Sequence, residues 1–358
     1  MGKKTIKMIL NLKEVFKMKK FTAILLTLVL IFTLAACNGT NDEDSSSQSQ
    51  NQTELKKVTF CLDWTPNTNH TGLFAAQAKG YYKDAGFDVT IIQSPEDSAE
   101  LMCASGEAQF AISFQDTMAA SLVGDSPLGI TAVAAVLQHN TSGIMSRKGE
   151  GMDTPKGLEG KKYATWDSPI EKAMIDNVMK ADGGADFSKV KLVPSVTDET
   201  SALKNKDIDA VWIFYGWAGI SAKVRNFDFD YFDFISLNKV FDYYTPVIIA
   251  NNNYLKSNPD DVKSFLAATK KGYEFAAKNP EEAAQILIDS DTTGSLSGSE
   301  ELVKESQKWI STKYIDDAES WGVFDAERWD GFYKWLSDNK LVATELKPGT
   351  GFTNDFIK

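Results

Sequence analysis

The sequence predicts an α/β protein built from two similar units, one inserted into the other, with a ligand cleft between them. Three observations predict this. Strand-like and helix-like segments alternate along the body, and the alternation restarts after Gly149-Glu150-Gly151. A strand-like run, Thr245 to Ala250, then leads back into the first unit before a mainly helical end. Such alternation implies parallel sheets covered by helices on both faces. The length of 358 residues suits about two domains. Two crossings, near residues 146–151 and 240–246, would form a hinge. Residues 57–147 plus 246–358 form the first expected lobe and 148–245 the second.

The chain opens on an address. Residues 1–20 hold seven lysines against Glu14, and Phe21 to Leu34 is apolar apart from Thr22, Thr27 and Thr33. A membrane-spanning helix needs roughly 20 apolar residues, so this shorter run reads as the core of a secretory signal, residues 1–36. Met18-Lys19-Lys20-Phe21 would itself serve as a signal start, which makes residues 1–17 a possible over-extension. Leu34-Ala35-Ala36-Cys37 resembles the lipobox of bacterial lipoproteins. The resemblance implies cleavage before Cys37, acylation of its thiol and an extracytoplasmic, lipid-anchored location. Residues 37–56 then form a flexible polar tether.

Removing residues 1–36 takes away seven lysines and one glutamate. The remainder carries 31 basic and 48 acidic side chains, a net charge of −17, against −11 for the whole chain. So acidic a surface is a poor partner for nucleic acid. Three cysteines make no disulfide scaffold and two histidines make no histidine-based zinc centre.

Within the body, Val58–Asp63 is the first expected strand and His70–Tyr82 the first helix. Asp88–Gln93, Ala108–Phe114, the apolar run Ile130–Leu137 and Gly143–Arg147 continue the strands. Helices begin at Ser94 and Gln115. In the second unit, strands are expected at Lys161–Thr165, Lys191–Val196, Asp209–Phe214 and Phe232–Leu237. Its helices are expected at Ser168–Ala181, Glu199–Asn205 and Ala218–Arg225. Phe227 to Asp233, where acids alternate with aromatics, reads as a surface turn. Helices follow at Pro259–Lys278, Pro280–Asp289, Glu300–Thr312 and Ala326–Asn339. Asn258-Pro259 and Asn279-Pro280 read as an N-cap followed by an N1 proline.

Ligands in open α/β sheets bind beyond the carboxyl ends of strands. Asp63-Trp64-Thr65-Pro66-Asn67-Thr68-Asn69-His70 gathers a carboxylate, an indole, two amides and an imidazole just before a helix. It can stack a flat ring and bond its edge, or it can be a turn with local Asn caps. In Trp166-Asp167-Ser168-Pro169-Ile170-Glu171 the alternative to binding is a capped helix start. In Trp212-Ile213-Phe214-Tyr215-Gly216-Trp217, Trp212 and Phe214 read as core, Tyr215 and Trp217 as cleft. Phe114-Gln115-Asp116 is a weaker strand end. Cys61 and Cys103 read as buried free thiols, although an exported location would permit a bridge. Nucleotide-loop, nucleophile-elbow and zinc spacings are missing from the sequence.

Asp63 to Leu73 resembles the thiamin-pyrimidine-precursor proteins, the NMT1/THI5-like family. So do Ala78-Lys79-Gly80-Tyr81-Tyr82, Gly106 to Ser113 and Trp212 to Trp217. The resemblance covers residues 57–340. It implies the type II periplasmic-binding-protein fold of two lobes. One branch of the family comprises receptors of ABC importers for formylaminopyrimidine or hydroxymethylpyrimidine-like compounds. The other is a fungal synthase that consumes pyridoxal phosphate and its own histidine, a position that His70 matches. This chain lacks the synthase's cysteine-rich run. It also has Ala218, Gly219 and Ser221 where the receptors lead one to expect an acid after Trp217. The substitute carboxylate is then expected to be Glu171, Asp63 or Asp116.

The expected protein is therefore a monomeric receptor with no cofactor, no metal and no catalytic residues. Its partners would be a small heteroaromatic ligand, a permease with its ATPase, and the membrane through the lipid anchor. The ring would stack on Trp64 with Tyr215 or Trp217 opposite. Asn67, Asn69 and Glu171 would read its nitrogens, with Asp63, His70, Asp116 and Trp166 completing the set. The alternatives are a receptor of riboflavin, sulfonate or nitrate type, and a synthase-like enzyme.

Overall fold

The computed structural model describes residues 54–94 and 98–357. The expected signal, Cys37 and most of the tether lie outside the described residues. Lys56, placed in the tether by its polarity, already pairs in the first strand. No helix among the described residues is long and apolar enough to cross a membrane.

The described residues form two five-stranded sheets. The first contains β1 (Lys56–Leu62), β2 (Phe87–Gln93), β3 (Phe110–Ser113), β4 (Ile130–Ala135) and β10 (Val247–Asn251), in the order β2-β1-β3-β10-β4. The second contains β5 (Ser142–Arg147), β6 (Lys162–Thr165), β7 (Lys191–Pro194), β8 (Ala210–Phe214) and β9 (Phe229–Asp233), in the order β7-β6-β8-β5-β9. The returning strand, β10, enters the first sheet as expected, but antiparallel between β3 and β4. The strand β5, grouped by its position in the chain with the first lobe, pairs antiparallel with β8 and β9 in the second. The sheets are thus mixed rather than parallel, and the first crossing falls at residues 136–141. Sequence neighbours need not share a sheet, because only pairing partners decide where an apolar run is buried.

Local chemistry explains the other departures. The first expected helix splits at Gly80, whose φ of +76° ends Thr71–Ala78 before the short turn Tyr81–Asp84. The alternating segment expected as a turn is the strand β9, with Phe232 buried. Period-two alternation is the mark of a half-buried strand. Its Asp230 is pinned by Lys148 Nζ at 2.5 Å and Gly149 N at 2.7 Å. Phe234–Leu237, expected as a strand, is a helical turn capped by Asp233, whose Oδ1 accepts from Ser236 N at 2.8 Å. Asn258 and Asn279 do not cap the helices after them. Their amides donate backward, to Tyr254 O at 3.4 Å and Phe275 O at 3.0 Å, and so satisfy carbonyls of the preceding helices.

An aromatic stack fills the first lobe, with the Phe265 ring 4.2 Å from Phe110 and 5.0 Å from Tyr82. A second cluster runs through both lobes, joining Ala111 and Trp329 of the first to Tyr163 and Met174 of the second. Cys61 and Cys103 are buried free thiols, and burial pushes the Cys61 thiol up to about 11.

The two crossings are bonded to each other. Asn140 N donates to Asp242 Oδ1 at 3.1 Å and Asn140 Nδ2 to Phe241 O at 2.9 Å. His139 lies 2.7 Å from Asp242 through Nδ1 and 2.9 Å from Asp317 through Nε2. The Asp242 hydrogen bond, opposed by partial burial and Arg328, holds the imidazole above its usual 6.5. A group raised on folding stabilises fully below its unfolded value, and that stability is lost as pH climbs through the folded value. Thermal melts should therefore show a small loss of stability as pH rises above the imidazole's usual 6.5. The His139→Gln variant should lack this component; an identical pH profile in both proteins would rule the contribution out.

Candidate functional site

A cleft of about 580 Å³ opens between the lobes. That volume suits a small organic ligand. Its first wall is the loop after β1. Asn67 organises this loop: its Oδ1 accepts from Asn69 N at 2.9 Å and its Nδ2 donates to Thr65 O at 3.0 Å. Asn67 N donates to His70 Nδ1 at 3.2 Å. This bond leaves the proton of a neutral imidazole on Nε2, which donates to Asp63 Oδ1 at 2.8 Å. His70 is wholly buried beneath the cleft and does not line it. It holds Asp63 in place rather than meeting a ligand.

The same loop is braced from behind. Tyr273 Oη donates to Asn69 O at 2.8 Å and Tyr314 Oη to Thr68 O at 2.6 Å. Thr68 Oγ1 lies 2.6 Å from Ser306 Oγ, which also bonds Gly216 O in the second lobe. One buried hydroxyl thus joins the ligand loop to the turn after β8. With its backbone so fixed, Trp64 stands 54% exposed in the cleft.

The second lobe contributes Trp166, 52% exposed at the end of β6, with its ring 5.8 Å from Trp212. Glu171 does not line the cleft. Its carboxylate accepts from Tyr163 Oη at 2.7 Å, Thr165 Oγ1 at 2.8 Å and Trp166 N at 3.3 Å. It is a positioning residue, spent on the turn that presents Trp166. Trp212 is buried, as expected, but it lines the cleft wall and its Nε1 has no partner. Phe214, read as core, is half-buried in the cleft and stacks on Phe114 of the first lobe at 6.1 Å.

A wide turn at Tyr215–Gly219 follows β8 and separates the two aromatics placed in the cleft by sequence. Trp217 does line the cleft. Tyr215 does not; it packs 5.0 Å from Tyr231 and 5.2 Å from Trp309 on the outer side. In a strand, residues two apart would share a face, but in this helical turn they lie on nearly opposite sides. Asp116 also lies outside the cleft lining. Burial pushes its carboxyl up to about 6, with Glu100 adding to the rise and backbone N–H groups opposing it.

Sequence reasoning missed the ends of β7 and of the helix Ile220–Val224. Thr197, Asp198 and Glu199 line the cleft from one, Ser221 and Arg225 from the other. Asp198 Oδ1 accepts from Arg225 Nη1 at 2.6 Å and from Ser201 N at 3.0 Å. The Arg225 bond holds the Asp198 carboxyl down to about 2. Burial pushes the Glu199 carboxyl up, and Asp198 adds to this while Arg225 opposes it. The usable signal was the rule already applied to β1, β6 and β8: β7 is another parallel strand with a carboxyl end beside β6.

Two mixed sheets, two crossings and a ligand-sized cleft between them define a protein of the type II periplasmic-binding class. The chain belongs to the NMT1/THI5 like family, whose model matches residues 67–283. It is 28% identical over 324 residues to the formylaminopyrimidine-binding protein of Halalkalibacterium halodurans, covering 89% of this chain and 94% of that one. It is also 28% identical over 250 residues to the 4-amino-5-hydroxymethyl-2-methylpyrimidine phosphate synthase THI11 of Saccharomyces cerevisiae, covering 65% of this chain and 71% of the relative. The same fold appears in the alkanesulfonate-binding protein SsuA of Xanthomonas axonopodis pv. citri bound to MOPS. That structure is 11% identical with a TM-score of 0.62, covering 84% of this chain and 99% of the other.

Proposed function

We propose that this chain is the extracytoplasmic receptor of an ABC importer, lipid-anchored at Cys37, that captures a thiamin pyrimidine precursor and delivers it to a permease. The cleft carries the proposal. It sets one half-exposed tryptophan on each lobe, Trp64 and Trp166, beside the amide of Asn69. Flat apolar faces with polar edges suit a heteroaromatic ring. The formylaminopyrimidine-binding relative, matched over 94% of its length, supports the same class. A ring held by both lobes would favour their closure, since a ligand shifts a conformational balance only by its differential affinity.

Two features favour a receptor over a synthase. His70 is buried and bonded on both ring nitrogens. Lysine, which a Schiff base requires, is missing from the cleft lining among the described residues. An anion receptor is disfavoured too: Arg225 lies in the cleft, but Asp198 and Ser201 already occupy its guanidinium.

Native mass spectrometry of residues 55–358 with formylaminopyrimidine, hydroxymethylpyrimidine, thiamin and pyridoxal phosphate tests the proposal. The expected result is a 1:1 complex with an aminopyrimidine and an unchanged protein mass. A different retained solute would end the pyrimidine assignment. A pyridoxal phosphate adduct at lysine, or mass lost from His70, would restore the synthase.

A further inference from the structure

The cleft must recognise its ligand without an acid directly after Trp217, where Ala218 stands. Of the carboxylates named from sequence, Glu171 is saturated by three donors and Asp116 lies outside the lining. Asp63 does line the cleft, but one of its oxygens is taken by His70 and its side chain is only 17% exposed. Asp198 is occupied by Arg225 and Ser201. Glu199 differs from all of these. It lines the cleft, and among the described residues no hydrogen bond or ion pair joins its carboxyl to another side chain.

We infer that Glu199 is the specificity residue that selects the amino group of the ligand, its carboxyl pairing with the amino and ring-nitrogen edge of an aminopyrimidine-class solute. This rests on the receptor function proposed above. Position supports it. Trp166 directly follows β6, and Glu199 opens the helix after the neighbouring strand β7, with Thr165 opposite Pro194 in register. A ring lying on the indole would have its edge facing the next strand end.

Chemistry supports it as well. The amino group donates while the adjacent ring nitrogen accepts, and a carboxyl offers the complementary pair when protonated. When the carboxyl is ionised, it matches a ring nitrogen that carries the proton. Either state makes two bonds to the same edge. Burial disfavours the ionised form of this carboxyl, so its neutral form is more accessible than that of an exposed glutamate. Its place in the first turn of the helix Glu199–Lys204 also favours a negative charge. That role alone, however, would not discriminate between ligands.

The test uses the full chain in detergent and two probes: 4-amino-5-hydroxymethyl-2-methylpyrimidine and the same ring lacking the amino group. Dissociation constants are measured by calorimetry for the native protein, Glu199→Gln and Glu199→Ala. The native protein should prefer the amino probe by about tenfold or more, because a site built to bond a group rejects its absence. Glu199→Ala should lose most of that preference, while affinity for the ring without an amino group stays within about twofold; Glu199→Gln, whose amide offers the same donor and acceptor as a protonated carboxyl, should keep part of it. A Glu199→Ala variant that retains the native preference would overturn the assignment. So would equal weakening of both probes, which would make Glu199 a determinant of cleft shape alone. If the native protein binds neither probe, the receptor reading itself fails, a result separable from the others because it appears before any substitution.

Discussion

Gly272→Ala should destabilise the protein by about 2–3 kcal/mol and lower its Tm by several degrees. Alanine is ordinarily the better helix former, by about 1 kcal/mol. Here that gain is outweighed. A Cβ at residue 272 would lie 2.0 Å from Gly72 O and 2.8 Å from Ala76 Cβ, and a backbone carbonyl cannot rotate out of the way. The helices Thr71–Ala78 and Pro259–Lys278 therefore cross backbone to backbone, and an added methyl must push them apart. The Tyr273 hydroxyl on the second helix holds Asn69 O of the ligand loop, so the displacement should also weaken ligand binding. Thermal unfolding followed by circular dichroism checks this; an unchanged or higher Tm would show that the crossing has slack the geometry denies.

Trp64→Ala should weaken binding of the aminopyrimidine by about 2 kcal/mol or more, roughly thirtyfold in Kd. A half-exposed indole in the cleft gains further contact area when a ring covers it. Removing it therefore costs binding with little cost to folding. The loop backbone is held independently through Asn67, His70 and Tyr273, so the rest of the wall should stay in place. Calorimetric titration of the variant with an unchanged affinity would remove Trp64 from the site. Equal Tm values for variant and native protein would separate lost stacking from lost structure.

Features read from local pattern were the most legible. The helix Pro259–Lys278 occupies its expected span, because proline at its start, acids in the first turn and a lysine in the last all point the same way. The loop from Asp63 to His70 was found because a strand end, a helix start and a cluster of polar and aromatic side chains coincide there. Tyr215 and Trp217 were harder to separate. Both follow β8 and both are aromatic, and only the wide turn after the strand sends one inward and the other outward. Glu171 shows the same limit. From sequence it is a carboxylate near a strand end; in the fold three donors surround it before any ligand arrives.

The sequence by itself determined the α/β class, the inserted second unit, the family and the first wall of the cleft. Each depends on patterns within a few tens of residues. Tertiary structure alone decided that β5 belongs to the second sheet, that both sheets are mixed and that Arg225 is neutralised by Asp198. It also left Glu199 as a cleft carboxyl that, among the described residues, no other side chain bonds. The physical reason is common to all of these. Strand pairing, burial and the saturation of a hydrogen-bonding group depend on which distant residues meet, and periodicity along one segment carries no record of its partners.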